Sequence, residues 1–162
     1  MQFSLAEDFV RGYLKSGLSS SYYYHDYHHT FDVLNSCVKL AEAEKISGNG
    51  ELKLLKTAAL YHDCGFVNTD AGHEEESCRL AKETLPGFGY SADDIETICR
   101  IIMKTKVPQK PETHLQKILC DADLDYLGRD DYEQIADKLF REWYEKGKIS
   151  SEEEWHRWVA GL

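Results

Sequence analysis

Apolar side chains recur at helical spacing along nearly the whole chain, and the alternation expected of strands is almost absent. Leu34, Cys37, Val38 and Ala41 follow the i, i+3, i+4, i+7 rule. So do Ile95, Ile98, Cys99 and Ile102, and then Leu115, Ile118, Leu119 and Ala122. That spacing gathers apolar groups on one face of a helix. Helix starts agree with it: Ser91 with Asp94, and Thr113 with Gln116, each place a hydroxyl three residues before a side chain able to reach back, the pattern of a capping box. Gly48-Asn49-Gly50, Pro86-Gly87-Phe88-Gly89 and the stretch from Pro108 to Pro111 supply the breaks. The pattern predicts eight helices, near 3–16, 29–46, 51–63, 73–84, 91–104, 113–127, 130–146 and 151–160. Connections are short except for a loop from Cys64 to Gly72. The expectation is a single all-α domain over residues 1–162.

Composition narrows the partners. A net charge of -10 argues against binding a nucleic-acid polymer, which needs a basic surface. It does not exclude an anionic small molecule, because a bound cation dominates the field of its own pocket. No apolar run approaches the roughly 20 residues needed to cross a bilayer, and the N-terminus lacks the pattern of a signal peptide. No membrane partner and a cytoplasmic location are therefore expected. Five scattered cysteines without a C-x-x-C pair suggest neither disulfides nor a thiolate metal site. Cys37, Cys99 and Cys120 read as small core residues, while Cys64 follows a His-Asp pair directly.

That pair, His62-Asp63, closes the apolar run from Leu52 to Tyr61. Histidines cluster upstream at His25, His28 and His29, and acids downstream at Asp121, Asp123 and Asp125. His29 opens one predicted helix, His62 and Asp63 close the next, and Asp123 lies in a later one. Imidazole and carboxylate suit zinc, iron, manganese and similar divalent ions, and two of each leave positions open for water or substrate. Ligands drawn from different helices are the rule in metal sites built inside bundles. Among the downstream acids, Asp121 stands one turn from Lys117 and Asp125, a polar face. Asp123 stands one turn from Leu119 and Leu127, at the edge of the apolar stripe, where an unpaired carboxylate is costly.

The segments YHDYHHTFDV (24–33), YHDCGF (61–66) and DADLDYLG (121–128) resemble the signatures of the HD-domain superfamily of metal-dependent phosphohydrolases. The likeness covers roughly residues 20–130, leaving a C-terminal helical extension over 131–162. It implies the metal ligands His29, His62, Asp63 and Asp123. The first segment is also similar to a stretch of the cyclic-nucleotide phosphodiesterases, which implies that His25 protonates the leaving oxygen. The asparagine of that stretch is Asp26 here and its alanine is Thr30, so cyclic-nucleotide specificity is not carried over. Binuclear relatives place a further histidine late in the helix matching 91–104, where this chain reads Ile101-Ile102-Met103-Lys104-Thr105.

These readings imply one divalent ion per chain (Mn, Fe, Co, Ni, Zn or Mg) that activates water against a small phosphomonoester or phosphodiester, with nucleotides the expected class. Asp63 or Asp123 would orient the water, and His25 would serve as proton donor and substrate contact. His73 is either a polar first-turn residue or a ring facing the metal pocket, there contacting phosphate or assisting catalysis. Lys104 is either solvated or a point charge for phosphate. The alternative is a non-catalytic metal or nucleotide sensor using the same pocket. Tyr22, Tyr23, Tyr24 and Tyr27 read as aromatic anchors of the helix entry, and the aromatic C-terminal stretch as a helix packed on the core.

Overall fold

A computed structural model describes residues 1–161. Eight α-helices run in order: α1 Phe3–Gly17, α2 Tyr27–Ala43, α3 Asn49–Tyr61, α4 His73–Thr84, α5 Ala92–Met103, α6 His114–Asp123, α7 Tyr132–Glu145 and α8 Glu152–Ala160. Among the described residues there is no strand.

The centre of the bundle is α3. Leu55, Ala58, Ala59, Leu60 and Tyr61 are fully buried, because this helix is apolar on almost every side. It packs against α1, α2, α4, α5 and α6. The large apolar cluster draws on all six of these helices, from Ala6 to Ala122. A second, smaller cluster joins α7 and α8 (Ala136, Leu139, Trp155) to Ile149, Tyr24 and Tyr126. Trp143 and Trp155 both pack on Trp158 there, at ring distances of 4.5 and 5.3 Å. No described helix is long and apolar enough to cross a membrane.

Both predicted capping boxes form, Ser91 with Asp94 and Thr113 with Gln116. The departures sit at helix ends. Helix α2 starts at Tyr27, two residues before the predicted start, because the Asp26 side chain accepts from the His29 backbone N–H at 2.9 Å. The helix expected over 113–127 stops at Asp123; Leu124 leaves helical geometry (φ -106°, ψ 7°) and a 3-10 turn follows over Asp125–Gly128. The loop predicted from Cys64 to Gly72 opens with a 3-10 turn over Cys64–Val67, and Gly72 then enters α4 with φ 73°.

Candidate metal centre

Local backbone decides where the His-Asp pair points. Neighbouring side chains on a continuous helix diverge by about 100°. Here α3 ends at Tyr61, His62 keeps helical angles, and Asp63 turns to φ -109°, ψ 5°. That change lets both side chains aim inward. A buried serine from α4 pins the turn: Ser77 Oγ accepts from the Gly65 N–H and donates to the His62 carbonyl, both at 2.9 Å.

Four side chains then converge. Asp123 Oδ1 lies 3.2 Å from His29 Nε2 and 3.4 Å from His62 Nε2. Asp63 Oδ2 lies 3.3 Å from His29 Nε2 and 3.2 Å from His62 Nε2. His29, His62 and Asp123 each offer a ligand atom within 4.8 Å of the others. A carbonyl can only accept, so the 2.7 Å contact from His62 Nδ1 to the Ala59 carbonyl makes Nδ1 the donor; Nε2 faces the cluster, and in the neutral ring its lone pair is the one offered there. His62 Nε2 and Asp63 Oδ2 are buried yet lack a well-formed hydrogen bond. Buried polar atoms are rarely left so, and a divalent cation between them would satisfy both. The donor set therefore fits a metal.

His73, in the first turn of α4, is also brought here. Its Nε2 lies 3.4 Å from Asp63 Oδ1 and 3.4 Å from Glu74 Oε1, while Nδ1 donates to the Asp70 carbonyl at 3.2 Å. Its ring stacks on Phe66 at 3.9 Å, and the other side of this small aromatic assembly is His25, 4.3 Å from Phe66. His25 lies 5.9 Å from His29 and 6.3 Å from His73, ring to ring.

Electrostatics follow from two carboxylates against three imidazoles in a largely buried site. Burial disfavours the imidazolium of His29, but its hydrogen bond to Asp123 and the nearby charges of Asp63 and Asp123 outweigh it and carry its pKa up to about 9. His62 is raised well above its ordinary value by the same balance, and His73 is raised through Asp63. Burial works against ionised Asp63 and Asp123 as well, yet the histidines hold both below the usual carboxylate range.

A stability profile follows for the metal-free protein. His29 titrates at 6.5 when unfolded and about 9 when folded, so its contribution is complete below pH 6.5 and fades as pH rises through 9. The shift is worth on the order of 3 kcal/mol. The lowered aspartates act in the opposite sense, contributing above their unfolded value of 3.8 and losing that contribution as pH falls. Chelated protein is therefore expected to melt highest between about pH 4 and 6.5 and progressively lower towards pH 9. Metal-loaded protein should reverse the alkaline trend, because metal displaces those protons. Melting curves across pH, with and without chelator, read both; an alkaline-stable chelated form would contradict the assignment.

Among known protein families, residues 26–125 match the HD domain, well over half of the chain. The chain belongs to the HD-domain family. No curated protein and no solved structure matches it. All four converging side chains of this HD domain lie inside the matched segment, as does His73. Members of the family are generally metal-dependent hydrolases.

Other expected site residues fall elsewhere. Lys104 is not brought to the cluster; its ammonium pairs with Glu112 at 2.7 Å, at the end of α5. His28 is exposed and lines a cavity of about 420 Å³ with Asn35, Arg129 and Lys138, on the far side of His29, which borders the same cavity. Cys64 is buried, its thiol donates to the Leu60 carbonyl, and burial pushes its pKa far up, away from thiolate chemistry. The other four cysteines are also buried and free. Tyr24 anchors the entry, packing on His29 at 4.4 Å and on Tyr126 at 5.6 Å.

Three residues had not been singled out in the sequence. Gln109 donates to Asp123 Oδ2 at 3.1 Å, fixing that carboxylate, and nothing in the Pro108–Pro111 stretch signals it. Phe66 is an ordinary apolar residue in sequence. Glu142 on α7 is 1 % exposed and accepts from the backbone N–H of Tyr24 at 3.1 Å and of His25 at 3.0 Å. Its other oxygen takes the His25 Nδ1–H. Burial opposes its ionisation, but His25 and these two N–H groups more than offset that and lower its pKa.

Proposed function

We propose that the protein is a metal-dependent phosphohydrolase acting on small phosphomonoesters or phosphodiesters, with nucleotides the class to test first. The observation that carries this reading is the pair of buried, unsatisfied atoms, His62 Nε2 and Asp63 Oδ2, facing His29 and Asp123 within an HD domain. His29, His62, Asp63 and Asp123 would hold one divalent ion. Bound there, the metal would lower the pKa of water and offset charge on the phosphoryl oxygens.

The chain's own residues do the rest. Asp63 and Asp123 accept hydrogen bonds from the attacking water and set its direction. The water oxygen forms its bond to phosphorus as the bond to the leaving oxygen breaks. The leaving oxygen keeps the electron pair and takes a proton from His25, which is recharged from solvent; the water's proton passes to solvent. His73 sits beside Asp63 on the side of the site shared with His25, and there contacts the phosphate. Burial of the cluster under α2, α3 and α6 keeps bulk water from screening these charges.

The test is elemental analysis of protein purified without chelator, followed by a panel of phosphate esters with the metal found. About one equivalent of a transition metal, with hydrolysis abolished by chelation and restored by that metal, is expected. Metal bound without turnover of any ester would instead favour a sensor. Protein that takes up no metal even after reconstitution would remove the proposal.

A further inference from the structure

We infer that Glu142, on a helix outside the matched segment, is the positioning residue that makes His25 a proton donor. The inference rests on the hydrolase reading above and adds to it a function for α7. Glu142 falls well outside residues 26–125, so the residue that holds His25 comes from beyond the matched segment.

The argument starts from cost. A glutamate with 1 % exposure in an apolar helix face is expensive unless its oxygens are fully engaged. Glu142 stands on the face that buries Ala136 and Leu139, where a leucine would pack at less cost. Its oxygens are engaged, and all three partners come from one short segment. Oε1 accepts from the N–H groups of Tyr24 and His25, and Oε2 from His25 Nδ1. Fixing Nδ1 as donor leaves Nε2 as the nitrogen free to serve a ligand. The ring is held between Phe66 and Tyr24, at 4.3 and 4.7 Å, so its plane is set as well as its tautomer.

The same helix grips the segment at further points. Tyr23 donates to Glu145 at 2.8 Å, Arg141 covers the Tyr23 ring at 4.0 Å, and Lys146 lies 3.9 Å from the Tyr22 ring. Past the helix, Lys148 pairs with Asp70, in the loop that leads to His73. Helix α7 and the turn after it thus hold both the segment that carries His25 and the loop that leads to His73. After proton transfer, the neutral Nδ1–H imidazole is the form Glu142 already binds, so the donor needs no reorientation between turnovers.

The decisive variant is Glu142→Gln. Its amide oxygen still accepts from the two backbone N–H groups, but its NH₂ faces His25 Nδ1 and imposes the other tautomer. A merely structural role predicts little change. A positioning role predicts a loss in kcat of about 10²-fold on an ester with an alkyl leaving group, with KM and metal content unchanged. Hydrolysis of p-nitrophenyl phosphate, whose leaving group needs no proton, should be nearly spared. His25→Ala should show the same split, and the double variant should be no worse than either single one.

Nitrogen-15 spectra of the ring give a readout independent of turnover. In the unaltered protein they should show Nδ1 protonated and hydrogen-bonded, and Glu142→Gln should reverse this. Equal loss on both leaving groups, or wild-type kcat on the alkyl ester, would overturn the inference. If no ester is hydrolysed, the hydrolase reading fails. The ring spectra then still decide whether Glu142 sets His25.

Discussion

Asp63→Asn is expected to leave the protein without bound transition metal and without hydrolytic activity, although the side chain keeps its size. Asp63 is the one residue whose two oxygens reach three histidines: His29 and His62 through Oδ2, and His73 through Oδ1. Losing a group that merely orients a ligand costs about 10–100-fold in metal affinity; losing this carboxylate should cost more. The metal-free protein should suffer too. With Asp63 neutral, His29 and His62 face only Asp123, and breaking a buried charge pair costs about 3–5 kcal/mol. The penalty should be greatest near pH 6, where the histidines of the unaltered protein carry protons, and should shrink towards pH 9. Elemental analysis and melting curves at both pH values read this. If the Asp63→Asn variant keeps its metal, Asp63 leaves the ligand set.

Gly65→Ala is expected to be the most destabilising single-methyl change near the site. A β-carbon at this position would lie 2.0 Å from the His73 carbonyl oxygen and 2.8 Å from its carbon. These are backbone atoms, which no rotamer change can move aside. Overpacking a core typically costs about 1–3 kcal/mol, and here the turn at 62–67 must part from the start of α4. The Gly65 to Ser77 hydrogen bond would be strained in the same movement. A loss above about 3 kcal/mol, or roughly 10 °C in melting temperature, is expected. Weaker metal binding should accompany it, because His62 and Asp63 lie on one side of this contact and His73 on the other. A variant melting within a degree or two of the unaltered protein, with its metal intact, would contradict this account.

Asp123 was legible in the sequence because a carboxylate at the edge of an apolar stripe needs a partner, and the same logic applies to Glu142. Glu142 follows Leu139 by three residues on the buried face of α7, a signal as clear as that for Asp123. What hid it was the absence of a histidine or aspartate beside it to suggest chemistry. Lys104 shows the opposite failure. Its place at a helix end near the motifs suggested a phosphate contact, but which way a long side chain turns depends on the nearest acid, and here that acid is Glu112, eight residues on.

The sequence by itself determined the eight helices, their capping boxes and the residues His29, His62, Asp63 and Asp123. Periodicity, caps and a local His-Asp dipeptide are all properties of short windows. Only the tertiary structure decided that these four side chains meet, that His73 joins them through Asp63, and that Glu142 holds His25 from 117 positions away. The angle at which α3 stops depends on Ser77 of α4 bonding to the Gly65 N–H and the His62 carbonyl, and the tautomer of His25 depends on α7 returning to the segment before α2. The second contact joins residues 117 positions apart, beyond any local window, and the first, though it spans only 12, depends on how α4 packs back against the end of α3.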